Sequence, residues 1–190
     1  MKGMVFRSFE DFVSDRFGDV IVDQVMSHPD LSTGGSYTSI GDYPHTDFLT
    51  LAVDVAVKTK TPLKKLVRDF GEALFHILGG AHSDLIANFD SAIDLLSVIE
   101  SVIHRDVRKI YSNTELPRFD VVEKTGQSYL HLVYTSSRPF ADLAEGLING
   151  CLDHYGVKEI SSIDRYDVKP DGTHTEFKIQ IDAQNGHKAN

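Results

Sequence analysis

The period of the apolar residues changes at Pro117, and that change constrains the fold of this chain more than any other feature. Ahead of Pro117 they recur every three or four residues; behind it, segments with every second residue apolar appear around a single helical stretch. The first spacing lines up one face of a helix and the second one face of a strand. A chain that carries the two in separate blocks folds as α+β. In the helical block Phe6, Phe9, Phe12, Val13 and Phe17 form a stripe that Gly18 stops, and Asp19 to Met26 reads as a short helix. Leu31 to Pro44 is a loop, with Gly34-Gly35 and a turn at Gly41-Asp42-Tyr43-Pro44. Phe48, Leu51, Ala52, Val55 and Ala56 mark a third helix. Thr61-Pro62 is expected to cap a fourth through Leu78, ended by Gly79-Gly80. Ser83 could cap a short segment through Phe89. A long helix is expected from Ser91 to Tyr111, with Ile93, Leu96, Ile99, Ile103, Val107 and Ile110 as its core stripe.

In the second block, strands at Phe119–Glu123 and Tyr129–Tyr134 flank the turn Lys124–Gln127. A helix over Ala141–Tyr155 follows, then strands at Glu159–Val168 and Thr173–Ile181 around Pro170-Asp171-Gly172. The expectation is a helical N-terminal part and a four-stranded antiparallel sheet with helices, in the order β-β-α-β-β. The join is short, and no repeat, low-complexity tract or flexible linker interrupts the chain. Residues 1–182 are therefore expected to share one domain, 1–116 mainly helical and 117–182 α/β, with a polar tail at 183–190.

A formal net charge of −9 argues against nucleic acid, whose phosphates need a basic patch. The one basic cluster, Lys58 to Arg68, is read as a solvated helix face. No apolar run approaches the roughly 18 residues of a membrane span. The N-terminus turns acidic at Glu10 and Asp11 without a signal peptide's apolar stretch, so a cytoplasmic protein is expected. Cys151 is the single cysteine, which excludes an internal disulfide and a cysteine zinc site; its apolar setting reads as a buried helix position.

Two features could carry chemistry. On an extended backbone Tyr134, Ser136 and Arg138 share one face and present a phenol, a hydroxyl and a forked guanidinium, a row suited to a ligand bearing carboxylates. Alone, the same row fits an ordinary strand end with a solvated arginine. The second feature is His104, at the margin of the buried stripe of the longest helix, where a neutral ring nitrogen could coordinate a metal. Alone, it fits a satisfied histidine at a solvent edge. None of the 9 histidines forms a His-Glu-x-x-His pair; His76 and His82 are split by Gly79-Gly80, and His131 points away from the triplet.

Taken together these residues resemble the heme nitric oxide/oxygen-binding (H-NOX) family, stand-alone bacterial type, which is also the sensor part of soluble guanylate cyclase. The resemblance runs through Met1-Lys2-Gly3-x-Val5-Phe6, Val102-Ile103-His104-x-x-Val107, Leu116-Pro117, Tyr134-x-Ser136-x-Arg138 and Glu145-Gly146-Leu147-Ile148. It implies heme b held between the helical and β parts, with His104 as proximal iron ligand and the triplet on the propionates. Pro117 would press on the porphyrin. Val5, Phe9, Leu74 and Leu78 would line the distal side, with Leu143 and Leu147 beside them. Oxygen-binding members carry a distal tyrosine five residues after the motif arginine, where this chain has Leu143. The resemblance therefore implies a sensor, not an enzyme, that binds nitric oxide and carbon monoxide but not dioxygen. Nitric oxide would weaken or break the iron–His104 bond, and the helical part would move against the β part. With no effector segment in the sequence, the expected partner acts in trans, as a histidine kinase or a cyclic-di-GMP synthase or phosphodiesterase. The cysteine zinc site of some relatives is not expected beside a single Cys151. The rival readings are a heme-using, peroxidase-like enzyme and a heme carrier without signalling.

Overall fold

The computed structural model describes residues 1–110 and 115–182, without the side chains of Asp106 and Ile110. The expected helix end at Tyr111 and the tail at 183–190 lie outside the described residues.

Four helices open the chain: α1 (Gly3–Phe17), α2 (Asp19–Met26), α3 (His45–Thr59) and α4 (Leu63–Ala81). Their apolar stripes converge. Phe6, Phe9, Phe48, Leu51, Leu66 and Phe70 are wholly shut off from water, in one cluster that also takes in Phe140 and Leu143. Each such side chain contributes about 1.5–3 kcal/mol by leaving water. The rings meet edge to face, Phe9 lying 5.1 Å from Phe48 and 5.0 Å from Phe70 between centroids. Such pairs favour one packing over its rivals. The loop between α2 and α3 is tied down from inside. Asp47, buried in the first turn of α3, accepts from Ser32 N at 3.2 Å, Ser32 Oγ at 2.7 Å and Tyr37 Oη at 3.0 Å.

The rest of the chain is a sheet with its helices. After α5 (Ser83–Ile86) and α6 (Ala92–Ser97) comes a π-helical segment, Ile99–His104, continued by α7 (Arg105–Ile110). Strands β1 (Arg118–Thr125) and β2 (Tyr129–Thr135) precede α8 (Ala141–His154). A 3₁₀ turn at Lys158–Ile160 leads into β3 (Ser161–Asp167), and β4 (His174–Ile181) closes the sheet. All three pairings are antiparallel, in the order β1-β2-β4-β3. The chain is thus α+β, as its two periods require. Leu130, Leu132 and Tyr134 of β2 and Phe177 and Ile179 of β4 form a second cluster with Ile93 of α6 and Ile148, Cys151 and Leu152 of α8.

Helix α8 borders both clusters and packs closely on α4. A Cβ on Gly146 would sit 2.1 Å from the Arg68 carbonyl oxygen, and one on Gly71 would sit 2.5 Å from that of Leu143. Only glycine permits this backbone contact. Ion pairs border the seam: Arg68 reaches Glu145 at 3.0 Å, and Arg165 of β3 reaches Asp142 at 2.6 Å and Glu145 at 2.8 Å.

Several expectations from sequence need correction. The long helix is interrupted, because α6 ends at Ser97 and Val98 leaves helical geometry before the π segment. Val98, Ile99, Val102 and Ile103 are β-branched and crowd a regular α turn. Ile93 and Leu96 are buried as expected, but Ile99, Ile103 and Val107 are only half-buried. Thr61 does not cap α4: its hydroxyl receives the Thr59 hydroxyl, Pro62 occupies the cap position, and the helix passes Gly79-Gly80 to Ala81. Ser83 begins α5 rather than capping it, and α5 stops at Ile86. Strand β3 starts two residues after Glu159 because the 3₁₀ turn takes Lys158–Ile160. The basic stretch is solvated as expected at Lys58, Lys60, Lys64 and Lys65, while Arg68 turns onto α8.

Candidate functional site

His104 ends the π segment, and its side chain is only 12% exposed. Nδ1 lies 3.0 Å from Glu100 Oε2, one helical turn back, and the other Glu100 oxygen takes Arg108 Nη2 at 2.5 Å. Burial is the largest influence on His104 and holds its imidazole below the ordinary histidine range. Glu100 and the Pro117 carbonyl pull the other way and lose. That direction favours the neutral ring, the form in which histidine ligates a metal. With Nδ1–H donated to Glu100, the lone pair of Nε2 is left for that purpose. Pro117 is half-buried. Phe119, two residues on, bridges the site, its ring centroid 5.8 Å from His104 and 5.3 Å from Tyr134.

The triplet does not form a straight row. Strand β2 stops at Thr135, and the Ser136 hydroxyl accepts from Arg138 N at 3.0 Å, a local turn that takes Arg138 off the strand axis. Tyr134 is 1% exposed, and burial pushes its phenol up against the pull of Ser136 and the Phe140 backbone. Arg138 is mostly buried; its Nη2 pairs with Glu115 Oε2 at 2.9 Å, while the other Glu115 oxygen takes Ser137 Oγ at 2.5 Å. Arg138 Nε is buried and has no hydrogen-bond partner among the described residues. A buried N–H left unpaired costs on the order of 1–3 kcal/mol, which makes it a marker for a missing acceptor.

The apolar candidates fall on the other side of α8. Phe9, Leu74 and Leu143 are buried in the helical cluster, and Val5, Leu78 and Leu147 pack on its edge. His104, Pro117 and the triplet thus sit with the sheet, and the six apolar residues with the helices. The loop from Arg138 into α8 joins them, Phe140 standing 5.7 Å from Phe48. A surface depression of about 370 Å³ lined by Arg16, Asp69, Glu72, Ala73 and His76 includes none of these residues. Sequence reasoning missed Glu100, Glu115 and Phe119. Glu100 was within reach of it, because residues four apart on a helix are neighbours. Glu115 meets Arg138 only through the tertiary fold.

A helical part is followed by a β-β-α-β-β sheet, and Phe119 links a buried histidine to a Tyr-Ser-Arg turn. Residues 2–161 match the Haem-NO-binding (HNOB) family, and the chain belongs to it. The structure is similar to that of the unliganded Fe(II) H-NOX protein of K. algicida, at 34% identity and a TM-score of 0.92, covering 99% of this chain and 100% of that one. It is similar also to the H-NOX of Shewanella woodyi bound to IWP-051 in the Fe(II)CO state (34% identity, TM-score 0.81, 100% and 99% covered). A third is the H-NOX protein of S. oneidensis in the Fe(II)NO state (26% identity, TM-score 0.81, 96% and 99% covered). No curated protein matches the chain. Among the described residues no helix is long and apolar enough to cross a membrane.

Proposed function

We propose that this chain is a heme-based nitric oxide sensor in which His104 ligates the iron of heme b and Tyr134, Ser136 and Arg138 hold the propionates. The observation that carries this reading is the buried Nε of Arg138, without a partner among the described residues, in the turn where Arg138 N donates to the Ser136 hydroxyl. A carboxylate supplies the acceptor that this nitrogen lacks. A neutral, buried imidazole and a wall of apolar side chains suit the rest of the group. Bound heme would supply the iron position at which a diatomic gas docks; Fe(II)CO and Fe(II)NO states of relatives are the precedent. Residues 1–182 would act as one such unit.

The protein's own residues would set which gas is held. Bound dioxygen needs a hydrogen-bond donor in an apolar pocket, and nitric oxide needs one far less. Val5, Phe9, Leu74, Leu78, Leu143 and Leu147 carry no hydroxyl. The helical cluster includes two tyrosines, and both phenols are committed elsewhere. Tyr37 donates to Asp47, and burial together with that carboxylate pushes it up to about 12. The Tyr43 oxygen accepts from Thr38 N at 2.8 Å and lies 3.1 Å from Thr38 Oγ1, a hydroxyl to which its own O–H can donate. The chain is therefore proposed to take nitric oxide and carbon monoxide and to exclude dioxygen. The same wall offers no general acid or base, which disfavours a peroxidase-like enzyme.

Release of His104 would free the π segment and α7, biasing a two-state element that a partner reads. The proposed partner is a histidine kinase or a cyclic-di-GMP synthase or phosphodiesterase, and the proposed location is the cytoplasm. Purified protein should show a Soret band and, with nitric oxide, a five-coordinate nitrosyl spectrum. Colourless protein after iron-replete expression would sink every heme reading. His104→Gly supplied with imidazole should still bind heme but lose nitric oxide control of a partner captured by pull-down. Retained control would exclude signalling through His104, and no nitric oxide control in the parent protein would favour a mere carrier.

A further inference from the structure

Glu100 touches both His104 and Arg108, and nothing in the proposed gas chemistry uses it. Its two oxygens are divided: Oε2 lies 3.0 Å from His104 Nδ1, and Oε1 lies 2.5 Å from Arg108 Nη2. The three residues occupy successive turns of one irregular helix, with Glu100 and His104 at the ends of a single i,i+4 step inside the π segment. Exposure falls unevenly along this relay. The Arg108 side chain is 44% exposed, that of Glu100 31% and that of His104 12%. The relay therefore runs from a solvated cation to a buried ring.

We propose that Glu100 is the positioning residue of His104, orienting the ring through Nδ1 and lending Nε2 negative character that Arg108 moderates. This inference rests on His104 being the iron ligand. A carboxylate on the far nitrogen of a ligating histidine fixes its tautomer and raises its basicity, so Nε2 holds iron more firmly. A guanidinium on the other carboxylate oxygen withdraws charge from Glu100 and weakens that effect. Glu100 and Arg108 thus act in opposite directions on one bond, the bond that nitric oxide must weaken. Outer partners of this kind typically alter metal affinity or activity by about 10–100-fold when removed.

The test is resonance Raman spectroscopy of the ferrous holoprotein, read at the iron–histidine stretch, on Glu100→Gln and Arg108→Gln. Glu100→Gln keeps the shape and an acceptor but removes the charge, and should move the band to lower frequency. Arg108→Gln, at an exposed position, should move it to higher frequency. On exposure to nitric oxide, Glu100→Gln should reach the histidine-free form faster than the parent protein, on the order of tenfold. A purely structural pair would change the melting temperature in both variants and leave the band in place. A band present in the parent protein and unmoved in both variants overturns the role of Glu100 while leaving His104 as ligand. No such band in the parent protein overturns the ligand reading, and this inference with it.

Discussion

At the scale of single residues, Leu143 is the position proposed to decide the gas. It is buried against the helical cluster at the start of α8 and brings only methyl groups there. Leu143→Tyr would place a phenol in that wall, where a donor can hold bound dioxygen. The ferrous variant is expected to show a stable oxygen-specific visible spectrum in air, which the parent protein should lack. A spectrum identical to the parent's in air would remove Leu143 as the determinant. Such a position is legible in sequence because it is one residue at a fixed distance from Arg138. Glu115 is not, since its pairing with Arg138 spans residues whose approach depends on the whole fold. The turn at Ser136 was hidden for a related reason. Period-two spacing continues through Arg138, whereas the strand stops at Thr135 and the Ser136 hydroxyl, by taking Arg138 N, turns the chain ahead of Pro139.

At the scale of elements, α6 is anchored by a small polar knot. Ser91 Oγ accepts from Asp94 N at 3.1 Å, and Asp94 in turn takes Lys124 Nζ at 2.6 Å and Gln127 Nε2 at 3.1 Å from the β1–β2 hairpin. The hydrogen bonds from Lys124 and Ser91 hold the Asp94 carboxyl below its ordinary range. Asp94→Ala should cost about 1–2 kcal/mol at neutral pH in urea denaturation. Because the folded value is depressed, this stabilisation is present above the unfolded carboxylate range and fades as pH falls through the folded value. The gap between parent and variant should thus be constant near neutrality and shrink below about pH 4; a gap that persists in acid would refute the charge argument. The helix beyond α6 shows where sequence patterns fail. An apolar stripe with α spacing runs through Ile99 and Ile103, yet the backbone there is π, a turn geometry that residue spacing does not reveal.

Across the whole molecule, α4 and α8 hold the helical part and the sheet together. Gly146→Ala would drive a methyl group into the Arg68 carbonyl, which is backbone and cannot rotate away. Overpacking of this kind costs about 1–3 kcal/mol or more. Thermal melts should show the loss, and Arg68→Ala should not restore it, because the clash is with main chain. Heme, if it joins the two sides of α8, should stabilise the chain as any ligand of the folded state does. Holoprotein is expected to melt well above heme-stripped protein. Equal melting temperatures would mean that the group does not bind the folded state in preference to the unfolded chain. The division into helices and sheet was readable from periodicity alone, but the glycine seam was not. Gly71, Gly146 and Gly150 are ordinary helix-weakening residues until the partner helix is known.

The two separate apolar clusters bear on how such a chain can change over generations. Substitutions in packed groups that share no side chains tend to add independently. Residues around Phe9 and Leu143, the proposed gas wall, can therefore be reshuffled without disturbing the sheet around Phe177 and Leu130. The exception is the strip where α8 faces both. There a change made for one side is felt on the other, and lineages that diverge in ligand should keep its small residues while the pocket around them drifts.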